Sequence, residues 1–104
     1  MVTSSVNADG QTVVIKIRGK FDFQAHREFR VAYAKYEGKN HQFVVDLSGT
    51  DYMDSSALGM LLLLRQHAGG DSANVVISQP NPTISKILTI ANFTKMFKVE
   101  AKAA

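Results

Sequence analysis

The 104-residue chain has no cysteine, which removes disulfides, cysteine-ligated zinc and thiol catalysis together. It has no apolar run approaching the roughly 18 residues that cross a bilayer, because Leu61 to Leu64 ends at Arg65. Its first ten residues, MVTSSVNADG, lack the basic segment and apolar stretch of a secretory signal, so a cytoplasmic location without membrane insertion is expected. Basic clusters are missing as well. The twelve Lys and Arg residues are dispersed with no two adjacent, which speaks against direct nucleic-acid binding despite a net charge of +3. His26, His41 and His67 share no metal-ligand spacing and read as surface or helix-end residues. The seven glycines never form a phosphate-cradling loop. No metal and no cofactor are therefore expected. No G-x-S-x-G elbow surrounds a serine, and no catalytic residue stands out.

One absence is local. Between Lys39 and Arg65 there is no cation, while Asp46, Asp51 and Asp54 fall inside that gap. An acidic segment thus sits within a basic protein. What remains is an ordinary composition, 45% hydrophobic and 20% charged, without repeats or linkers. It suits a single domain over residues 1–104, with 100–104 as a loose tail.

The same segment organises the chain. Phe43 to Leu47 has too little alternation for a one-sided strand and is expected to be covered on both faces. The turn SGTDYM leads to Asp54-Ser55-Ser56, whose side-chain oxygens suit a helix N-terminus. A hydroxyl delivered to the positive end of a helix is also a good place to add a phosphate. Ser55 is either a cap or a modification site on these grounds, and capping is the ordinary use. The helix from Ser55 to about Ala68 is apolar nearly all round, so deep packing is expected, and Gly59 within it implies either a close backbone approach or drift. Tyr52 and Met53 are contact residues or lids on the core; Asp46 reads as structural.

Elsewhere, Val2 to Val6 and Val13 to Arg18 flank Asn7-Ala8-Asp9-Gly10 and read as a hairpin. Asp22 suits the N-cap of a helix over about Gln24 to Glu37, with the stripe Ala25, Phe29, Ala32, Tyr33 and Tyr36, and Gly38 at C′. Asp22 is equally open to a partner-facing role. Ala73 to Ser78 is a short strand, and Asn81-Pro82 starts a third helix whose stripe is Ile84, Ile87, Leu88 and Ala91. Phe93 to Val99 covers the sheet edge or adds a last strand. The expected architecture is α/β: a mixed β-sheet of four to five strands with three main helices, in the order β-β-α-β-α-β-α.

VVDLSGTDYMDSSALGMLLLL resembles the signature of the STAS domain family, in the form found in small bacterial anti-sigma-factor antagonists. RGKFDF before the first helix resembles that family's G-x-[ILF]-D step, and Asn81-Pro82 to Phe97 resembles its closing helix. Ala57 departs from the glycine of many members, which bears on close partner contact. The resemblance implies a STAS-like sheet and a non-enzymatic, phosphorylation-switched binding protein. The unmodified form would bind an anti-sigma factor that is also a serine protein kinase, freeing the sigma factor. Phosphorylation of Ser55, with Ser56 as fallback, would block binding, and a serine phosphatase would restore it. Asp22, Met53, Asp54, Ser55, Ser56 and Ala57 would form the partner surface. A STAS subunit docking on a membrane transporter ATPase is the alternative within the fold. A small phosphate-handling hydrolase using Asp54 and Ser55 is the remote one.

Overall fold

Two hydrophobic periods build the molecule, and the computed structural model describes them over residues 1–100, the side chain of Lys39 excepted. Residues 101–104, most of the expected tail, lie outside the described residues, while Glu100 belongs to a strand. The strands are β1 (Val2–Val6), β2 (Thr12–Ile17), β3 (Gly19–Phe21), β4 (Gln42–Asp46), β5 (Thr50–Met53), β6 (Val75–Ser78) and β7 (Lys98–Glu100). The helices are α1 (His26–Ala34), α2 (Ser55–His67) and α3 (Pro82–Ile90), with short 3-10 turns between elements.

A five-stranded sheet has the order β1-β2-β4-β6-β7. β1 and β2 form the expected antiparallel hairpin, and the remaining neighbours are parallel. The Asp9 carboxylate braces the hairpin loop by accepting from the Gln11 and Thr12 amides and the Thr12 hydroxyl. The expected mixed sheet with three helices is therefore present, with β7 as its last strand.

β3 and β5 form a separate parallel pair that continues β2 and β4 past a bend. The bend needs a left-handed residue on the β2 side, supplied by Gly19 at φ 82°. Thr50, buried in the bend, donates from Oγ1 to the Ile17 carbonyl at 2.7 Å. Four of the six residues expected to be a turn, SGTDYM, are thus strand β5. Its pairing partner lies 32 residues earlier in register, Lys20 against Tyr52 being next to the Phe21–Met53 pair.

The core corrects one expectation. Val13, Ile15, Ile17, Phe43, Val45 and Ile77 join residues from all three helices in one cluster. On the opposite face Val14, Val44 and Asp46 are half-buried and Lys16 is exposed. β4 is therefore a one-sided strand. Valine at the open positions hides the alternation, because its branched side chain suits a strand on either face.

Gly38 is not the C′ residue expected of it; Lys35 is the C-cap of α1, and Gly38 opens a 3-10 turn. Its requirement is spatial. A Cβ there would lie 1.7 Å from the His67 carbonyl oxygen, so the backbone after α1 touches the end of α2 with no room for a methyl. The His67 ring sits in the same seam: Nε2 donates to the Tyr36 carbonyl at 2.7 Å, and the ring packs 5.0 Å from that of Tyr33. His67 is the helix-end histidine expected, the last residue of α2, with its ring partly buried in the seam. Gly59, by contrast, has no neighbour near its Cβ position and is exposed, so no close approach accounts for it.

Candidate functional site

Parallel pairing decides what meets at the helix starts. Because each helix follows a strand of the parallel set, the helices begin at the same end of the sheet. The Phe21–Met53 pair places Asp22 beside Asp54, and the Asp54 amide donates to the Phe21 carbonyl at 3.3 Å. Asp22 caps the 3-10 turn that opens into α1, accepting from the Gln24 amide at 3.0 Å. Asp54 caps α2, accepting from the Ala57 amide at 3.2 Å. The third cap, Asn81, accepts from the Ile84 amide at 2.8 Å and donates to the Thr50 carbonyl at 3.3 Å, tying α3 to β5.

The Asp54 carboxylate is the most engaged group of the site. The Ser56 hydroxyl donates to its Oδ1 at 2.5 Å. That bond first, with backbone amides of Ala57, Ser56 and Phe23 after it, holds the carboxyl below its ordinary pKa and outweighs the opposing effect of burial.

The two serines are consequently unlike. Ser56 is half-buried and its hydroxyl is committed to Asp54. Ser55 is the first residue of α2, it is exposed, and among the described residues its hydroxyl has no hydrogen-bond partner. The capping role open to Ser55 in the sequence belongs to Asp54. Asp51 is exposed nearby, and Asp46 accepts from the Ser48 amide at 2.9 Å, the structural use expected of it.

Two expected partner residues are corrected. Met53 and Ala57 are 4% and 0% exposed and belong to the core cluster, so neither side chain presents itself to a partner. The β-strand period turns Met53 inward and Tyr52 outward. The Ala57 methyl points into the protein, which limits the consequence of its departure from glycine. Asp22, Asp54 and Ser56 are half-buried, and Ser55 is exposed.

Exposed apolar residues extend the site, Tyr52 on the contact side of the two roles open to it. Phe23 and Tyr52 are exposed aromatics flanking Asp22 and Met53. Along α2, Ala57, Met60, Leu61 and Leu64 are buried, whereas Leu62 and Leu63 are 41% and 48% exposed. The helix is not packed all round. The signal was in the run itself: at about 100° per residue, four consecutive leucines span most of a turn and cannot all face one sheet. Ser55, Gly59, Leu62, Leu63 and Gln66 form the outer face. A groove of about 580 Å³ runs between α1 and α2, with His26, Arg30, Met60 and Leu63 among its walls. Folding therefore sets Arg30 of α1 alongside a helix whose own segment has no Lys or Arg before Arg65. No group of three or more His, Asp or Glu residues suited to a metal occurs among the described residues. No described helix is long and apolar enough to cross a membrane.

A family profile described as "Mlab, STAS domain" matches residues 4–100. The chain belongs to the STAS domain family. This STAS domain is 49% identical over 98 residues to a STAS-domain containing protein of Pseudomonas aeruginosa (strain UCBPP-PA14), covering 94% of this chain and 97% of that one. It is 28% identical over 79 residues to the anti-sigma F factor antagonist of Lysinibacillus sphaericus, covering 74% of this chain and 68% of the relative. Among solved structures, the anti-sigma factor antagonist SpoIIAA in its unphosphorylated form superposes with TM-score 0.73 at 20% identity, over 100% of this chain and 90% of that one. The phosphorylated form of the Bacillus cell fate determinant SpoIIAA gives TM-score 0.72 at 20% identity, over 98% and 92% of the two chains. A sulfate transporter family protein from Wolinella succinogenes gives TM-score 0.74 at 13% identity, over 92% and 80%. At these identities the structural likeness is one of fold.

Proposed function

We propose that this STAS domain is a phosphorylation-switched binding protein acting as an anti-sigma-factor antagonist in the cytoplasm. Unmodified, it binds an anti-sigma factor that is also a serine protein kinase and so releases the sigma factor. Phosphate on Ser55 blocks that binding, and a serine phosphatase reverses it. The observation that carries this reading is the exposed, unpartnered hydroxyl of Ser55 at the first position of α2, beside a Ser56 hydroxyl already held by Asp54. The likeness to the Lysinibacillus sphaericus antagonist supports it, as does the likeness to a fold known in phosphorylated and unphosphorylated forms.

The physics favours a blocked interface over a refolded protein. A phosphoryl group adds about −1.5 to −2 charges at neutral pH. The start of α2 accommodates such charge at an effect of about 0.3–1 kcal/mol. A partner pressed onto Ser55, Asp54 and Asp22 would meet both the bulk and the repulsion. Ser55→Ala is expected to bind the kinase constitutively and Ser55→Asp to bind it weakly. Intact-mass and fragment analysis after incubation with the kinase and ATP should find one phosphate, on Ser55. Wild-type binding by both variants, or a phosphate on Ser56, would overturn the assignment.

A second reading is favoured by the sulfate transporter family protein that shares the fold: a STAS subunit docked on a transporter ATPase, with Ser55 unmodified. Affinity capture with the wild-type domain separates the two, returning a kinase-like regulator or a transporter subunit. For the hydrolase reading, a substrate pocket at Ser55 is needed, and none of five surface grooves found among the described residues is lined by Asp54, Ser55 or Ser56.

A further inference from the structure

The outer edge of the five-stranded sheet at β1 is open, and its hydrogen-bonding sense follows from its partner strand. The Arg18 amide donates to the Met1 carbonyl, and the Asn7 amide donates to the Thr12 carbonyl, both on the hairpin register. Antiparallel pairs alternate between bonded and non-bonded positions. Met1, Thr3, Ser5 and Asn7 therefore turn their peptide groups toward β2, and Val2, Ser4 and Val6 turn theirs outward. The outward sense is visible at Val2, whose amide donates to the Glu28 carboxylate of α1 at 3.3 Å. Ser4 and Val6 have no such cover among the described residues. An unpaired row of this kind is a template for another strand.

Helix α1 overhangs that edge. A groove of about 680 Å³ lies between them, walled by Val2 and Ser4 below and by Arg27, Glu28, Val31 and Lys35 above. Arg27, Val31 and Lys35 are spaced four residues apart, and Val31 is 59% exposed, large for an apolar side chain with nothing against it. The one carboxylate of the groove is engaged on Val2, and among the described residues neither Arg27 nor Lys35 has an acidic partner, Lys35 lying 5.6 Å over the Tyr36 ring, so both cations can take an acidic occupant. Along α1, Arg27 and Lys35 are about 12 Å apart at 1.5 Å per residue, with Val31 midway. In an added strand, residues i and i+4 lie about 13.6 Å apart on one face, with i+2 between them.

We propose that the β1 edge and α1 form a docking site for an extended peptide from a partner protein, added antiparallel to β1. The peptide carries acidic side chains at i and i+4 toward Arg27 and Lys35 and an apolar one at i+2 over Val31. Main-chain bonds at Ser4 and Val6 supply attachment, and the side chains supply selection. A second copy of this chain is the poorer occupant, because pairing two β1 edges brings two sets of these cations together. The site is independent of Ser55 and of the reading built on it.

The test uses the full chain and a synthetic nine-residue peptide with Glu, Val and Glu at alternate central positions and Thr elsewhere, with a counterpart bearing Lys in place of Glu. The Glu peptide is expected to bind, more weakly as salt rises, and to slow hydrogen exchange at the Ser4 and Val6 amides but not at Thr3 or Ser5. Ser4→Pro removes one outward N–H at a position where an edge strand tolerates proline, and the affinity should fall about tenfold. Should Ser4→Pro fail to fold, the doubly exposed swap Arg27→Glu with Lys35→Glu serves instead; it should reverse the preference toward the Lys peptide. Equal binding of both peptides overturns the proposal, as does binding without added protection at Ser4 and Val6. Protection of those amides without peptide, together with a concentration-dependent dimer in sedimentation, would assign the edge to a second copy and overturn it equally.

Discussion

At its C-terminal end α2 is held by residues distant in the chain: the His67 carbonyl abuts Gly38 with no space for a methyl, and the His67 ring bonds to Tyr36. At its N-terminal end the side-chain bonds run within a few residues, from Ser56 and Ala57 back to Asp54, while the Ser55 side chain is exposed and bonds to nothing described. One helix thus has an end where the fold depends on every atom and an end where one residue is indifferent to the fold. A reversible charge belongs at the second. The fold there neither needs the hydroxyl nor has anything packed on it, so the proposed phosphate would be read by a visitor and not by the core.

The comparison breaks most visibly at the clamped end. Gly38→Ala forces a Cβ against backbone atoms of His67 and Ala68, which cannot rotate away as a side chain would. A loss of about 3 kcal/mol is expected, at the upper end of ordinary overpacking. Urea unfolding measures it, and an unchanged midpoint would mean the two helices do not approach this closely.

A smaller effect should come from acid. Asp54 and Asp9 are both held below the ordinary carboxylate pKa by hydrogen bonds, Asp54 first by the Ser56 hydroxyl and Asp9 first by the Gln11 amide. A depressed folded-state pKa adds stability that is fully present above the unfolded value of about 3.9 and is lost as pH falls through the folded value. Urea midpoints should therefore decline below about pH 4. Asp54→Asn retains a capping oxygen but not the charge, and Asp9→Asn likewise removes a titrating group. Each should flatten that decline, and a decline as steep in both variants would place the acid sensitivity elsewhere.

The uneven legibility of the chain has the same origin as the two ends of α2. Asp22, Asp54 and Asn81-Pro82 announce helix starts because a cap and its amide lie within three residues, so the sequence contains both partners. The hairpin is equally local. Gly38 was misread because its partner, His67, is 29 residues away and the contact exists only once α1 and α2 are packed. β5 reads as a turn in the sequence because its one strand partner among the described residues is three-residue β3 across a bend. Met53 was counted with the contact residues because the period of a four-residue strand cannot be set without knowing where the strand begins. Leu62 and Leu63 were legible in principle from helical geometry alone. The family signature points to a candidate site; it does not distinguish the side chains facing out from those facing in.

Within the site, the two serines separate by degree. Ser56→Ala removes the hydroxyl that Asp54 accepts from, and a fall in Tm of roughly 4 °C is expected, the response of a small domain to losing one hydrogen bond. Circular dichroism melts measure it. A melt identical to wild type would mean that the bond is exchanged for water without loss and that the two hydroxyls are equivalent after all.

The smallest effect is the most telling. Ser55→Ala changes an exposed side chain with no described partner and should leave stability within about 0.5 kcal/mol. The same substitution should abolish phosphate incorporation by the kinase while leaving partner binding intact. Silence in the melt combined with a full effect on modification is what a residue outside the fold's own contacts must give. A drop as large as that of Ser56→Ala would show that Ser55 helps to hold α2, and adding charge to it would then disturb the helix itself, not only its surface.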